Sequence, residues 1–271
     1  MKRFWADYTT REISRLDRDT LVAVLPIGAI EQHGPHLPLK VDSFIADAIV
    51  SRVAARLPST SRVLFLPTQS LGKSNEHLRY PGTLSLSAET LMAILRETGT
   101  CVARAGIRKL VFLNAHGGNV STLDIVARDL RVEHGMLVFA VNWFGFGAPD
   151  GIYEPDERRH GIHAGDMETS VMLALEPESV RRNEAADFRS AMRNWDADYD
   201  HIGLDRVARP AWQAQDLHPG GAAGDAAAAT PEKGAATLDR AIDGLVALLA
   251  EIERAPLAWL ETPPDTDDAD L

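Results

Sequence analysis

The chain has 271 residues, 45% apolar and 25% charged, which suits a globular protein with one large core or two small ones. Its net charge of -11 excludes the broad basic surface that binds nucleic acid or an anionic membrane. No apolar run reaches the roughly 18 residues of a membrane-spanning helix, and the N-terminus lacks the apolar core of a secretory signal. We therefore expect a cytoplasmic protein. Its single cysteine, Cys101, agrees with a reducing compartment and is expected to pack within a helix.

The first predicted strand is a continuous apolar run over residues 21–27, typical of a strand buried on both faces. It leads into a loop over residues 31–42 that holds one glycine and two prolines, so the loop is neither helix nor strand. This loop also holds side chains that bind metals, namely Glu31, His33, His36 and Asp42. The sequence therefore predicts a rigid loop carrying metal ligands at the carboxyl end of a strand.

Helix and strand patterns then alternate for more than a hundred residues. Helices are predicted from Ser43 to Leu57, from Ser87 to Ala105 and from Thr122 to Val132, and strands over 63–66, 109–114 and 137–141. Ser87 is the expected N-cap of its helix, and Gly106 the expected stop. The third and clearest strand runs directly into His116. Sustained alternation predicts an α/β fold with a mostly parallel sheet and helices on both faces.

The alternation is interrupted over residues 143–162, an aromatic, glycine-containing segment that suits a lid. A helix start follows around His163 and Glu168, whereas residues 183–219 are polar and irregular and receive no assignment. Within that helix start, Asp166 is expected to cap the helix. Trp143 and Phe144 suit a pocket wall and a core equally well.

The end of the chain carries one more helix. Thr230 and Pro231 form a good helix start, and apolar residues recur at helical spacing as far as Arg254. Residues 259–271 are acidic and predict a flexible tail. We therefore predict a single domain over residues 1–258.

Ligand-type side chains recur at several predicted strand ends, and loops at the carboxyl ends of parallel strands face a common crevice. Mixed carboxylates and imidazoles suit Zn²⁺, Mn²⁺ or Fe²⁺, and the lack of cysteine ligands argues against a purely structural zinc site. Nearby glycines would allow the backbone to approach closely. The sequence therefore predicts a catalytic metal site for one or two ions, built from these residues: Glu31, His33, Asp42, His116, His163 and Glu168.

Four ordered motifs resemble the signatures of the creatininase (creatinine amidohydrolase) family. They are residues 28–42, residues 76–86 with Glu76, His77 and the Tyr80-Pro81-Gly82-Thr83 run, residues 114–119, and residues 163–170. The resemblance implies a three-layer α/β/α sandwich and hydrolysis of a carbon–nitrogen bond in a small cyclic amide or formamide. It also implies one or two divalent ions per chain (Zn, Mn or Fe) and a homo-oligomer, commonly a homohexamer.

Carried over position by position, the resemblance makes Glu31, His33, Asp42 and His116 metal ligands, with Asp42 as the bridge if two ions bind. Glu168 matches an acidic position at the metal centre. His163 matches a histidine that contacts substrate and transfers protons. A carboxylate that bridges two ions and an imidazole beside them suit attack of an activated water on a carbonyl. His36, between two prolines, is expected to be structural.

This chain departs from creatininase proper in ways that bear on substrate. Creatininase has an acidic metal ligand where this chain has Gly118, so one ligand is missing unless Glu168 or water replaces it. A substrate-stacking tryptophan is expected shortly before His163, where this chain has Arg158, Arg159 and His160. Creatinine is therefore a poor substrate prediction. The arginines suit either an anionic substrate or solvent.

Three further functions remain open at this point. One is a metallopeptidase that trims a peptide precursor, as in the mycofactocin-maturation relatives. Another is a hydrolase that opens a sugar-derived cyclic ketone, and the last is a non-catalytic metal-binding protein. Glu76 and His77 lie in a long polar loop and are candidates for contact with substrate or with a neighbouring subunit.

Overall fold

The computed structural model describes residues 1–261. Within them, four parallel strands form the central sheet: β1 (Val22–Ile27), β2 (Val63–Phe65), β3 (Lys109–Asn114) and β4 (Leu137–Asn142). Their spatial order is β2-β1-β3-β4. The last residues of β1 and β3, Ile27 and Asn114, are paired. All four strands match predicted ones within one residue at each end.

Each face of the sheet has its own core, because successive side chains of a strand point to opposite faces. On β1, Val22 and Val24 belong to the core on one face, together with residues of the helices α2 (Val41–Arg56), α6 (Asp166–Leu175) and α9 (Pro231–Arg254). Ala23 and Leu25 belong to the core on the other face, together with residues of α3 (Ala88–Arg104) and α4 (Val120–His134). The predicted three-layer α/β/α architecture is confirmed.

The remaining helices are short. Four are α-helical: α1 (Thr10–Ile13), α5 (Pro155–His160), α7 (Met192–Asp198) and α8 (Ala214–Leu217). The others are 3-10 turns: Trp5–Asp7, Arg18–Thr20, Asn75–His77, Gly117–Asn119, Trp143–Phe146, Pro177–Ser179, Arg182–Glu184, Ala226–Ala228 and Leu257–Leu260. No helix within residues 1–261 is both long and apolar enough to cross a bilayer.

Local signals placed the ends of α3 correctly. The Ser87 hydroxyl accepts a hydrogen bond from the Thr90 amide at the start of the helix. Gly106 follows its last turn at φ +85°, a left-handed conformation that glycine adopts without strain. Cys101, by contrast, is exposed on this helix, so the expectation that it packs is wrong.

Helices α6 and α9 approach each other unusually closely at Gly234. A Cβ atom at this position would lie 1.9 Å from the Ser170 carbonyl oxygen. Nearby, the Asp166 carboxylate accepts hydrogen bonds from Ser170 Oγ and Lys233 Nζ. Helix α6 begins at Asp166, and Gly165 holds the N-cap position. The expectation that Asp166 caps this helix is therefore wrong.

Residues 183–219, which the sequence left unassigned, form structure that depends on distant segments. Strand β5 (Asp187–Phe188) pairs antiparallel with β6 (Gly224–Asp225), and α7 and α8 follow β5 along the chain. Two residues are too short for a periodic signal, which explains why no strand was predicted. Of the predicted acidic tail, residues 259–261 are described, and residues 259 and 260 belong to a 3-10 turn. Residues 262–271 lie outside the described part.

The chain order creates a crevice at one edge of the sheet. The chain passes from β1 through α2 to β2, and then through α3, on the other face, to β3 on the opposite side of β1. Open parallel sheets bind ligands where the strand order reverses in this way, outside the carboxyl ends of the strands. We therefore expect a ligand site between the loops that follow β1 and β3.

Candidate metal centre

The fold brings the predicted ligand residues together. Glu31 and His33 follow β1, Asp42 lies in the first turn of α2, and His116 follows β3. All four side chains are buried. Their convergence follows from the pairing of β1 with β3, which sets the two loops side by side at the edge of the sheet.

Two groups of three side chains can each hold a metal ion, since the possible ligand atoms within each group lie within 4.8 Å of one another. One group is Glu31, Asp42 and His116, and the other is His33, Asp42 and Glu168. Asp42 belongs to both, with one oxygen 3.3 Å from His116 Nδ1 and the other 3.5 Å from His33 Nε2. This arrangement has the form of a two-ion site bridged by a carboxylate.

Several polar atoms of the centre are buried without a hydrogen-bond partner: both carboxylate oxygens of Glu31, His33 Nε2 and Asp42 Oδ2. A buried polar atom without a partner costs about 1–3 kcal/mol, and more if it is charged. Four such atoms that face one another indicate a common partner, and a divalent cation satisfies oxygen and imidazole nitrogen together. The residues present therefore fit a metal ion.

The electrostatics of the centre favour positive charge. Burial opposes protonation of the imidazoles, yet Asp42 and Glu31 outweigh it and raise the pKa of His33 to about 9 and that of His116 to about 10. Burial alone would raise the pKa of Asp42, but the two imidazoles lower it. The carboxylates thus hold positive charge at the point where a cation would bind.

His163 lies beside this centre as a neutral imidazole. Burial, together with repulsion from His33 and His77, lowers its pKa well below the ordinary value. Its Nε2 lies 2.8 Å from the carbonyl oxygen of Gln32, which can only accept, so Nε2 carries the proton. The free Nδ1 lies 3.7 Å from Glu31 Oε1. His163 also forms a third possible ligand group, with Glu31 and His33.

The backbone around His163 is held tightly. Its amide and carbonyl groups both pair with Ala223, and the following residue, Ala164, has φ +52°. No other residue besides glycine has a positive φ within residues 1–261. The Ala164 amide donates to the Glu168 carboxylate, which links the strained turn to a possible ligand. Strain of this kind concentrates at functional sites.

His77, a predicted candidate for contact with substrate or a neighbouring subunit, lines the cavity and is hydrogen-bonded to Gln32, which the sequence did not single out. The Gln32 amide nitrogen lies 2.7 Å from both the Gly221 carbonyl oxygen and His77 Nδ1, so its two protons have two acceptors. His77 Nε2 then carries the proton and lies 3.4 Å from Glu31 Oε1. The sequence signal for His77 was its loop of Gly and Pro residues, whereas Gln32 offered only its place beside Glu31.

The centre lies at the bottom of a cavity of about 800 Å³. Trp143 and Phe144, which the sequence left open as wall or core, both line it. Leu204 and Trp212, from the segment that the sequence left unassigned, also line the cavity. Such an apolar surface around a polar centre is typical of small-molecule sites.

Comparisons with known proteins agree with this geometry. The sequence model of the family described as "Creatininase: Creatinine amidohydrolase" matches residues 6–249. The chain belongs to the creatininase family. Among creatininase structures, the form designated "Creatininase Mn" has a TM-score of 0.73 and 26% identity, with 94% of this chain and 100% of that chain covered. A zinc–zinc form of a creatininase mutant gives a TM-score of 0.73 at 27% identity, with coverage of 94% and 100%.

Curated members of the creatininase family differ in what they act on. The mycofactocin precursor peptide peptidase of Mycobacterium tuberculosis is 39% identical over 174 residues, which are 62% of this chain and 64% of the relative. The match thus spans less than two thirds of that relative. The creatinine amidohydrolase of Pseudomonas putida is 29% identical over 91% of this chain and 94% of its own. The 3-dehydro-scyllo-inosose hydrolase of Thermotoga maritima is 25% identical over 96% and 86%.

Against the creatininase pattern, the space at Gly118 is already filled in this family member. A Cβ atom on Gly118 would lie 2.3 Å from Glu76 Oε1 and 2.4 Å from both His116 Nε2 and the Lys73 carbonyl oxygen. The acidic side chain expected at this position in creatininase therefore cannot be accommodated on this backbone. Glu168 instead supplies the carboxylate that accompanies His33 and Asp42.

His36 lies apart from the two ligand groups. Its Nε2 lies 2.9 Å from Thr169 Oγ1, and its ring stacks on Phe188 at 5.3 Å. Burial, reinforced by His33, lowers its pKa to about 4. These contacts tie the loop of residues 31–42 to α6 and β5, in keeping with a structural role.

Proposed function

We propose that this chain is a metal-dependent amidohydrolase that cleaves a carbon–nitrogen bond of a small cyclic amide or formamide. The observation that carries the proposal is the pair of buried ligand groups sharing Asp42 at the bottom of the cavity. A purely structural site needs neither a shared carboxylate facing a cavity nor a neutral histidine beside it.

The residues divide into ligands and a proton carrier. Glu31, Asp42 and His116 would hold one divalent ion, and His33 and Glu168 with Asp42 would hold a second. Such ions acidify water and polarise a carbonyl oxygen near neutral pH. Zinc and manganese are the ions named for the creatininase structures, so we expect one of these, or iron, in this chain.

His163 supplies acid–base chemistry in this scheme. Its neutral Nδ1 takes a proton from the attacking water while the resulting hydroxide adds to the amide carbon. The imidazolium then returns that proton to the departing nitrogen as the carbon–nitrogen bond breaks, so the ring ends neutral. The hydrogen bond from Nε2 to the Gln32 carbonyl oxygen keeps Nδ1 directed toward the centre throughout.

A second candidate is trimming of a peptide precursor. It is favoured by the mycofactocin peptidases, which are 34–39% identical to the matched part of this chain. Peptide hydrolysis breaks the same kind of bond, so the same residues serve it. A third candidate, hydrolytic ring opening of a cyclic ketone, rests on the full-length similarity to the Thermotoga maritima enzyme.

Four properties that accompany this function are also proposed. Residues 143–162 act as a lid over the cavity within a single domain of residues 1–258, and the chain assembles into a homohexamer in the cytoplasm. Light scattering on the purified protein tests the assembly. A monomer in solution would contradict it.

The test of the function combines metal analysis with a panel of lactams, hydantoins, formamides and short peptides. Less than one ion per chain, both as purified and after addition of Zn²⁺, Mn²⁺ or Fe²⁺, would refute the proposal. Glu31→Gln and His116→Ala should lose metal, whereas His163→Ala should retain metal and lose turnover. His134→Ala is the matched control, since the His134 side chain on α4 lies outside the cavity and is hydrogen-bonded to Thr100. Full activity of His163→Ala would remove His163 from its assigned role.

A further inference from the structure

The helix α5 in the lid segment carries two adjacent arginines with different surroundings. Arg159 Nε lies 2.5 Å from an Asp196 oxygen on α7. The Arg158 side chain makes no hydrogen bond or ion pair within residues 1–261, and it lines the cavity that holds the metal centre. Successive residues of a helix point about 100° apart, so the two charges face in different directions.

Helix α5 is anchored firmly enough to fix the position of Arg158. Glu157 is buried and accepts hydrogen bonds from the amides of Asp166 and Asp225, at 2.7 and 2.8 Å. Gly161, Gly165 and Gly224 pack so closely on this carboxylate that a Cβ at any of them would lie within 2.7 Å of it. The glycine at 165 therefore serves Glu157 and not the metal centre.

A second set of contacts ties α5 to α7. His160 lies 2.9 Å from Asp156 Oδ1 and 3.0 Å from Asp196 Oδ2, and Arg193 pairs with Asp156. Arg159 adds its own contact with Asp196. Four of the six residues of α5 make these contacts, so the backbone that presents Arg158 to the cavity is anchored to neighbouring segments.

The remaining charges of the cavity give Arg158 a distinct role. In the floor the His33 and His116 imidazoles pair with Asp42, and in the wall the Lys73 ammonium donates to Asn75 Oδ1 and lies 3.9 Å from Glu76 Oε2. An anionic molecule must also overcome the net charge of -11. An unpaired guanidinium is the group that binds a carboxylate with two parallel hydrogen bonds.

Building on the hydrolase function proposed above, we propose that Arg158 binds a carboxylate carried by the amide substrate. The substrate class is an amide that carries a carboxylate, namely an N-formyl or N-acetyl amino acid or a peptide end, with its scissile amide at the metal centre and its carboxylate against the lid. Trp143, Phe144 and Trp212 form the wall beside it, so an apolar or aromatic substituent fits between these two points.

The test uses two probes that differ in one charge, N-acetyl-L-phenylalanine and its neutral amide, N-acetyl-L-phenylalaninamide. Their dissociation constants are measured by calorimetry, on the metal-loaded protein and again after chelator treatment. The acid should bind about tenfold more tightly than the amide in both states, because a charge-assisted pair is involved. The preference should shrink as salt is raised.

Three variants of α5 separate the charge of Arg158 from the stability of the helix. Arg158→Met should abolish the preference for the acid, and Arg158→Lys should retain part of it, since lysine keeps the charge without the planar fork. Arg159→Met removes a charge from the same helix and should keep the full preference. Equal binding of both probes to the wild type, no effect of Arg158→Met, or an equal loss in Arg159→Met would each overturn the inference.

The outcome can be separated from that of the proposed function. If the protein binds metal and hydrolyses neutral amides but shows no preference for the acid, the carboxylate inference fails and the hydrolase function stands. If the protein binds no Zn²⁺, Mn²⁺ or Fe²⁺ when these ions are added, yet the chelator-treated protein prefers the acid, the hydrolase function fails and the inference about Arg158 stands.

Discussion

Replacing Gly118 by alanine tests how the space beside the metal centre is shared. The new methyl group would meet Glu76 Oε1 at 2.3 Å and both His116 Nε2 and the Lys73 carbonyl oxygen at 2.4 Å. Ordinary van der Waals contacts begin near 3.4 Å, so each contact is about 1 Å too short. The Glu76 carboxylate can turn away, but the Lys73 carbonyl belongs to the backbone and His116 is buried.

We therefore expect Gly118→Ala to lower the free energy of unfolding by about 2–3 kcal/mol, the upper part of the range for overpacked positions. Because relief of the contact displaces His116, metal affinity should also fall about 10- to 100-fold, as it does when the support of a metal-bound histidine is lost. Urea denaturation of the metal-free protein measures the first effect, and calorimetric titration with Zn²⁺ or Mn²⁺ measures the second.

The neighbouring glycine supplies the control. A Cβ atom on Gly117 would meet nothing within 4 Å, so Gly117→Ala should leave stability within about 1 kcal/mol of the wild type. Adding Glu76→Ala to Gly118→Ala should recover only part of the loss, because two of the three short contacts remain. If Gly118→Ala matched Gly117→Ala in both measurements, the argument that this space is closed would be wrong.

Two further predictions concern stability away from the cavity. The pKa of His36 is lowered to about 4 from its ordinary value of 6.5, so its contribution to stability is full above pH 6.5 and declines as pH falls toward 4. His36→Gln should make unfolding free energy less sensitive to pH in that window by roughly 3 kcal/mol, and an unchanged pH profile in urea titrations would contradict this. Gly234→Ala should cost about 2–3 kcal/mol because its Cβ would lie 1.9 Å from a backbone oxygen of α6. A melting temperature equal to that of the wild type would contradict the close approach of the two helices.

The sequence by itself determined most of the sheet and the identity of the possible ligands. Strands β1, β2 and β3 are largely apolar runs buried on both faces, and such runs are bounded by the polar residues that flank them. Ser87, Gly106 and Thr230 marked helix ends through local hydrogen bonding and backbone conformation, which depend on neighbouring residues alone. Metal-binding side chains in loops after strands pointed to one edge of a parallel sheet, where the structure places them.

Only the tertiary structure decided how those side chains share the space. Whether Glu168 or a residue at 118 accompanies His33 depends on the approach of Glu76, which lies 42 positions before Gly118. Which arginine faces the cavity depends on the pairing of α5 with α7, a helix the sequence did not predict. These contacts join segments far apart in the chain, and no local pattern of hydrophobicity or charge records a distance between them.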